Sequence, residues 1–209
     1  MNRPLIVALH GVGSSGPDMG AALAPLTAVA EVIALDGCEP FDGGGRGRQW
    51  FSVSGVTEAD RPRRVAGALP RMLKRLDDLA RQHGVARENL VLLGFSQGAI
   101  MTLAMVAQGF HAGRAIAIAG RLAAPVLPAG ANPASLIVIA DSVDRVMPQG
   151  LSQDAAERLR AAGHHVDQIL TSGIGHSIGA QTLSSIASWL AATASPRTPE
   201  LTPALTIEG

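Results

Sequence analysis

The feature that most constrains this chain is the pentapeptide Gly94-Phe95-Ser96-Gln97-Gly98. An apolar run at 89–93 comes before it and predicts a buried strand, and residues 99–107 after it predict a helix. A G-x-S-x-G pattern at a strand-to-helix turn is typical of a nucleophile elbow, in which small residues let neighbouring backbone pass closely. We therefore expect Ser96 to lie at the end of the strand in a strained conformation, with its hydroxyl directed away from the sheet.

Strand and helix patterns alternate along the chain. Short apolar runs predict strands at 5–9, 32–35, 89–93, 114–119, 135–140 and 165–170, and helical patterns occur at 17–28, 61–83, 99–107, 152–162 and 177–192. This alternation predicts an α/β fold, a doubly wound and mainly parallel sheet of about six strands with helices on both faces. Pro70 is expected to kink or divide its helix. Residues 1–194 are predicted to form a single domain, and 195–209, rich in Pro and Thr, a flexible tail.

The charge balance and the cysteine content exclude several classes of protein. Lys plus Arg and Asp plus Glu both number 17, so the net charge is zero and nothing favours nucleic acid or an anionic membrane as a partner. Cys38 is the single cysteine, which excludes an intramolecular disulfide and a cysteine-based metal site. The first apolar stretch ends at His10, too short to span a membrane, and has no small-residue cleavage site. We expect a cytoplasmic protein without stable membrane association.

Ser96 needs a base within hydrogen-bond reach and a carboxylate that orients this base. On a doubly wound sheet of this type the order along the chain is Ser, then Asp or Glu, then His. His176 fits this order, because it follows the last predicted strand in a loop with neighbouring glycines, at the carboxyl edge of the sheet. His10, His83 and His111 do not fit this order, and His164 and His165 lie at the amino end of the last predicted strand. The last two are expected at the surface.

Two aspartates compete for the role of the acid. Asp141 lies directly at the end of the strand predicted at 135–140, and Asp144 lies three residues further on, in a loop with room to turn its carboxylate back toward the sheet. Position alone does not separate them.

Two backbone N–H groups are expected to form an oxyanion hole. One belongs to Gln97, the residue after the nucleophile, and the other to the glycine-rich loop after the first strand, where Val12 is the best placed. His10 either shapes this loop or is a simple turn histidine.

The segment 36–60 is long for a loop in a compact domain, and it contains Phe41, Trp50 and Phe51 among the six Phe and Trp residues of the chain. Two interpretations of Trp50 and Phe51 stay open: they anchor the loop to the body of the protein, or they wall a substrate pocket.

Taken together, these motifs resemble the phospholipase/carboxylesterase family of serine hydrolases, which includes the acyl-protein thioesterases. The matching stretches are Leu9-His10-Gly11-Val12-Gly13 with Asp18 downstream, Arg48-Gln49-Trp50-Phe51, Gly94-Phe95-Ser96-Gln97-Gly98, Asp144-Arg145-Val146-Met147-Pro148 and Gly175-His176. Their order and spacing fit the family over roughly residues 5–180.

The resemblance implies an α/β-hydrolase fold with little or no cap domain. It also implies hydrolysis of small-molecule carboxylic esters or thioesters through a Ser-His-Asp triad and an acyl-enzyme, without a cofactor or metal. It favours Asp144 as the acid, because the family's acid precedes an apolar pair and a proline. The chain departs from the family at Ala140-Asp141, where His-Gly is usual, so Asp141 stays the alternative acid. The alternative functions are a non-catalytic module that binds an apolar ligand and an acyltransferase.

Overall fold

The computed structural model describes residues 3–194, so the tail predicted at 195–209 lies outside the described residues. The elements are β1 (Leu5–Leu9), α1 (Gly16–Ala22), a 3₁₀ helix (Ala24–Ala28), β2 (Glu31–Leu35), β3 (Glu39–Pro40), β4 (Arg48–Gln49), α2 (Arg61–Gln82), a second 3₁₀ helix (Arg87–Asn89), β5 (Leu90–Phe95), α3 (Gln97–Ala107), β6 (Arg114–Ile118), β7 (Ser135–Asp141), α4 (Gln149–Ala161), β8 (His165–Thr171) and α5 (Ala180–Ala192). In this range, no helix has both the length and the apolarity needed to cross a membrane.

The six longer strands form one sheet in the order β2-β1-β5-β6-β7-β8, and every neighbouring pair is parallel. The chain steps from β1 to β2 in one direction and from β5 to β8 in the other, so right-handed crossovers place helices on both faces. Helices α2 and α3 contact each other, as do α5 and the 3₁₀ helix at 24–28. The prediction of a doubly wound parallel sheet is confirmed, and the direction of winding changes between β1 and β5.

The centre of the sheet is packed closely against α3. Every residue of β1 and every residue of α3 is buried. Apart from Gln97 and Thr102, α3 consists of apolar residues and glycine, and α2 covers its far side. Two glycines permit this approach. A Cβ atom at Gly94 would overlap the backbone of Gly98, and one at Gly98 would overlap the carbonyl of Leu9. The first and last letters of the pentapeptide therefore bring β1, β5 and α3 together.

Two helical segments differ from the sequence-based prediction in whether the helix breaks near a proline. The helix expected at 17–28 stops at Ala22, and Pro25 lies in the first turn of a separate 3₁₀ helix. By contrast, Pro70 does not divide α2, which runs unbroken from Arg61 to Gln82. The apolar face of α2 is buried on both sides of this proline, so packing outweighs the hydrogen bond that proline cannot donate.

The expectation of a surface position for His164 is wrong. Its side chain is buried, and its Nδ1 accepts a hydrogen bond from the N–H of Ala134 at 3.2 Å. His165, the next residue, is exposed as predicted. The sequence placed both residues correctly at the amino end of β8, but it did not indicate that the loop before β7 needs an acceptor there.

A second buried histidine at this end of the sheet, His111, is expected to make the stability of the protein depend on pH. His111 is only 2% exposed, and burial lowers its pKa to about 4. Between pH 6.5 and pH 4, the imidazole of His111 is therefore protonated in the unfolded chain and neutral in the folded protein. The free energy of unfolding falls as the pH drops through this range, because protonation favours the unfolded state. His111 is expected to lower the free energy of unfolding by about 3 kcal/mol over this pH range.

Urea unfolding at pH 7 and pH 4 tests this. His111→Gln keeps a donor for the carbonyl of Arg114, which His111 Nε2 contacts at 3.1 Å, but does not titrate. Its unfolding free energy should drop less between the two pH values than that of the wild type, whereas the exposed-site control His165→Gln should match the wild type. An equal drop in all three proteins would contradict the prediction.

Candidate active site

Ser96 lies at the turn between β5 and α3 in the strained conformation that the sequence pattern predicts. Its backbone has φ 53° and ψ −115°, in the left-handed half of the map that non-glycine residues rarely occupy. Its N–H donates to the carbonyl of Ile118 at 3.0 Å, which ties the turn to the end of β6. The side chain therefore stands above the carboxyl ends of the central strands, next to the point where the winding of the sheet reverses.

The imidazole of His176 lies between Ser96 and Asp144. The Ser96 Oγ atom is 2.9 Å from His176 Nε2, and His176 Nδ1 is 2.7 Å from Asp144 Oδ2. Because an ionised carboxylate only accepts hydrogen bonds, the Nδ1 atom holds the ring proton and Nε2 is left to accept from the serine hydroxyl. The ring also packs against Phe95, at 4.9 Å between ring centroids. The structure thus brings together three residues that are up to 80 positions apart in the chain.

The structure separates the two aspartates that chain position left open. Asp144 is buried and faces His176 with Oδ2, while its Oδ1 accepts the N–H groups of Val146 and Met147, each at 2.8 Å. Asp141 has no contact with His176 among the described hydrogen bonds, and its two oxygens accept from other groups. The geometry favours Asp144 as the partner of the imidazole.

Two backbone N–H groups, those of Val12 and Gln97, are the candidates for the predicted oxyanion hole. The N–H of Gln97 is the first of α3 and has no acceptor within the helix. For Val12, the arrangement depends on His10: its Nε2 accepts from the N–H of Gly37 at 2.8 Å, so its proton lies on Nδ1 and donates to the carbonyl of Gly11 at 2.6 Å. Since C=O and N–H point in opposite directions across a trans peptide, the N–H of Val12 points away from the imidazole.

The buried position of His10 favours the neutral imidazole that this arrangement requires. Burial lowers the pKa of His10, while its bond to the carbonyl of Gly11 opposes this shift. Of the two interpretations of His10, the structure favours the one in which its ring shapes the loop after β1.

Trp50 and Phe51 anchor the long loop and do not line the cleft beside Ser96. Their side chains are 1% and 3% exposed. The Trp50 Nε1–H donates to the carbonyl of His10 at 2.8 Å, and the side-chain amide of Gln97 accepts from the N–H of Trp50 at 2.8 Å and donates to the carbonyl of Phe51 at 2.7 Å. The expectation that these two aromatic residues wall the pocket therefore does not match the structure, because they are turned into the core.

The sequence analysis missed the residue that orders the rest of this loop. The Asp42 carboxylate accepts from the Ser52 hydroxyl, from the Gln49 side-chain amide and from the N–H groups of Val53 and Ser54 at 2.8–2.9 Å. These bonds, above all those from Ser52 and Gln49, lower the pKa of Asp42 to about 2. No local pattern could identify it, since its partners lie 7 to 12 residues further along the chain.

A cleft of about 330 Å³ opens in front of Ser96 and His176. Its apolar wall comes from three loops, α1 and the end of β5 and consists of Val12, Met19, Ala22, Phe95, Val146 and Ile178. A larger depression of about 520 Å³ is lined by Arg3 and Arg114, at the amino end of β6, and neither Ser96 nor His176 reaches it. Within residues 3–194, no three His, Cys, Asp or Glu side chains cluster as a metal site would require. The cleft beside Ser96 and His176 is therefore the candidate substrate site.

A parallel sheet with a strained serine turn after its central strand, and a histidine after its last strand, defines the class of α/β-hydrolases. Comparison with known proteins narrows this class. The model of the Phospholipase/Carboxylesterase family matches residues 1–194, so the chain belongs to that family. The resemblance inferred from the motifs is thereby confirmed, and the protein is a carboxylic ester hydrolase.

Individual relatives agree with this assignment. Esterase YpfH of Escherichia coli (strain K12) is 38% identical over 181 residues, which cover 84% of this chain and 77% of YpfH. Among solved structures, esterase PE8 has a TM-score of 0.78 at 24% identity and covers 91% of this chain and 92% of its own. The carboxylesterase of Bacillus cereus has a TM-score of 0.76 at 17% identity, with 91% and 88% covered. These two structures support the fold.

Proposed function

We propose that the protein hydrolyses small carboxylic esters through a covalent acyl-enzyme on Ser96, with His176 as the general base and Asp144 as the residue that orients it. The observation behind this proposal is the continuous chain of hydrogen bonds from Asp144 through His176 to Ser96, with distances of 2.7 and 2.9 Å. Both distances lie within the range that proton transfer between a nucleophile and its base requires.

In the first half of the reaction, the Ser96 oxygen attacks the acyl carbonyl and its proton moves to His176 Nε2. The carbonyl oxygen becomes an oxyanion, which the N–H groups of Val12 and Gln97 stabilise. The tetrahedral intermediate then collapses: the bond to the alcohol oxygen breaks, and the imidazolium gives its proton to this leaving group. Asp144 stabilises the imidazolium throughout and keeps its own ionised form.

In the second half, water takes the place of the alcohol. His176 accepts a proton from the water, the hydroxide oxygen attacks the acyl carbon, and collapse returns the proton to Ser96 with release of the carboxylic acid. Water access supports hydrolysis over acyl transfer, because the side chain of His176 is 19% exposed at the open cleft. Acyl transfer to another alcohol stays a prediction for substrates that exclude this water.

The shape of the cleft supports an apolar acyl or alcohol group as the portion of substrate next to Ser96. Five aliphatic side chains and Phe95 line the cleft, and burial of apolar surface against them favours binding by about 25 cal/mol per Å². The same attack would serve thioesters, whose thiolate leaving group needs less help from the proton on His176.

A fluorophosphonate probe tests the proposed mechanism directly. It phosphonylates an activated serine with loss of fluoride and resembles the tetrahedral intermediate. We expect labelling at Ser96, identified by mass spectrometry of the modified peptide, and none in His176→Ala. Labelling of another serine, or ester hydrolysis that persists in protein fully labelled at Ser96, would exclude the proposed triad.

A further inference from the structure

The carboxylate of Asp141 lies between the two loops that supply Asp144 and His176. We call residues 142–148 the acid loop and residues 172–179 the base loop. Asp141 Oδ1 accepts from the N–H of Val143 in the acid loop and from the N–H of Gly175 in the base loop, each at 3.0 Å. Its Oδ2 accepts from the Thr171 hydroxyl at 2.9 Å and from the N–H of Ile174 at 3.1 Å. One side chain thus binds both loops.

These bonds engage an ionised carboxylate. Asp141 is only 4% exposed, and burial alone would raise its pKa. The hydrogen bonds from the N–H groups of Val143 and Gly175, and then those from the Thr171 hydroxyl and the N–H of Ile174, lower it. Together they outweigh burial, so the pKa of Asp141 lies below its ordinary value. Each carboxylate oxygen of Asp141 accepts two hydrogen bonds, and none of these four bonds comes from His176.

The base loop has few other constraints at this point. The ladder between β7 and β8 ends with the pair Asp141 and Thr171, and the two loops separate beyond it. Gly173 and Gly175 have φ of 75° and 69°, a conformation that glycine adopts freely. Because glycine also adopts many other conformations, these two residues do not by themselves restrict the loop to this path. Within residues 3–194, the hydrogen bonds of the Ile174 and Gly175 N–H groups go to Asp141. His176 follows immediately.

We propose that Asp141 is a positioning residue of the reaction, whose carboxylate fixes the base loop against the acid loop so that His176 stays between Asp144 and Ser96. The inference rests on the proposed triad. It gives a role to the residue at which the chain departs from the family's His-Gly pattern, since a glycine there offers no side-chain acceptor to the base loop. A misplacement of about 1 Å at a catalytic group can lower a rate about a hundredfold.

Asp141→Asn tests the inference because it keeps the size of the side chain and changes its hydrogen bonds. In asparagine an NH₂ group replaces one of the two carboxylate oxygens. This NH₂ group would face the two donors whose hydrogen bonds that oxygen accepts in the wild type. For p-nitrophenyl acetate we expect kcat to fall about 10- to 100-fold with KM changed less than about threefold, because the base moves and the cleft does not. The matched control is Asp167→Asn: Asp167 lies on β8 and accepts from Trp189 Nε1 at 2.8 Å, away from both loops.

A spectroscopic measurement separates positioning from a general loss of stability. The downfield proton resonance of His176 Nδ1–H, hydrogen-bonded to Asp144, should be present in the wild type and in Asp167→Asn. It should be lost or broadened by exchange in Asp141→Asn, while the circular dichroism spectra of all three proteins agree. A resonance and a kcat in Asp141→Asn equal to those of the wild type would overturn the inference.

A milder variant keeps the test valid if Asp141→Asn does not fold. Thr171→Val removes one hydroxyl donor and leaves the charge of Asp141 and its backbone bonds in place, so kcat should fall about 3- to 10-fold at constant KM. An unchanged kcat in a folded Thr171→Val would count against the proposed role. Failure of the triad itself is recognised separately: if Ser96→Ala stays active, both proposals fall, and if Ser96→Ala is inactive while Asp141→Asn is fully active, the Asp141 proposal alone falls.

Discussion

Ser96→Ala is expected to lower kcat for p-nitrophenyl acetate on the order of a millionfold, the largest effect of any single substitution in this protein. The variant lacks the oxygen that forms the acyl-enzyme, so His176 has no nucleophile to activate. Only the oxyanion donors and the cleft would remain, and in other serine enzymes these alone retain about 10³- to 10⁴-fold over the reaction in water.

The fold of this variant should be unaffected, because the Ser96 side chain donates to His176 and supports nothing else in the described hydrogen bonds. Ser96→Gly gives a second inactive variant with a distinct signature. A glycine relieves the strain of φ 53°, which costs about 1–3 kcal/mol in other residues, so its melting temperature should exceed that of Ser96→Ala.

The measurement is the steady-state rate over a range of ester concentrations, with circular dichroism to confirm folding. Ser142→Ala is the matched control, since Ser142 is an exposed serine of the acid loop outside the proposed triad. It should keep the wild-type kcat. Retention of more than a few per cent of activity in folded Ser96→Ala would require a different nucleophile.

Much of the fold and of the candidate site follows from local sequence. The strand before Ser96, the helix after it and the glycines around it specify the strained turn within a few residues. The rule that sites form at the carboxyl ends of parallel strands then selects the loops that contain Val12, Asp144 and His176. These residues stay predictions as catalytic groups, but their convergence in the structure is what this rule predicts.

Other parts depended on contacts between distant segments. Trp50 and Phe51 share one apolar pattern whether they anchor a loop or wall a pocket, and the side chain of Gln97, some 46 residues away, determines which. Likewise, the sequence places Asp141 and Asp144 at one edge of the sheet, but only the path of the base loop decides which carboxylate meets His176. The residue types near the end of a strand do not determine which of these carboxylates contacts the histidine.

Asp144→Asn is expected to lower kcat about 10⁴-fold with little change in KM. The local backbone determines why an isosteric change has so large an effect. Asp144 Oδ1 accepts the N–H groups of Val146 and Met147, so the single oxygen of the asparagine will stay on that side. Its NH₂ group then faces His176 Nδ1 and donates to it.

This reversal changes the tautomer of the base. With Nδ1 now an acceptor, the imidazole proton moves to Nε2, and the atom that should accept the proton of Ser96 already holds one. The variant should therefore fold and bind ester normally yet react slowly with both ester and fluorophosphonate. Asp154→Asn, a carboxylate on α4 with its side chain 59% exposed, is the matched control and should retain wild-type rates.

Comparison of Asp144→Asn with Asp141→Asn decides between the two aspartates. If Asp144 is the acid, Asp144→Asn should lower kcat about a hundredfold or more beyond the decrease in Asp141→Asn. The first substitution changes the tautomer of His176, whereas the second only weakens the contacts that position the base loop. A loss of about 10⁴-fold in Asp141→Asn with nearly full activity in Asp144→Asn would assign the acid to Asp141 instead. The hydrogen bond of 2.7 Å from His176 Nδ1 to Asp144 leads us to expect the first outcome.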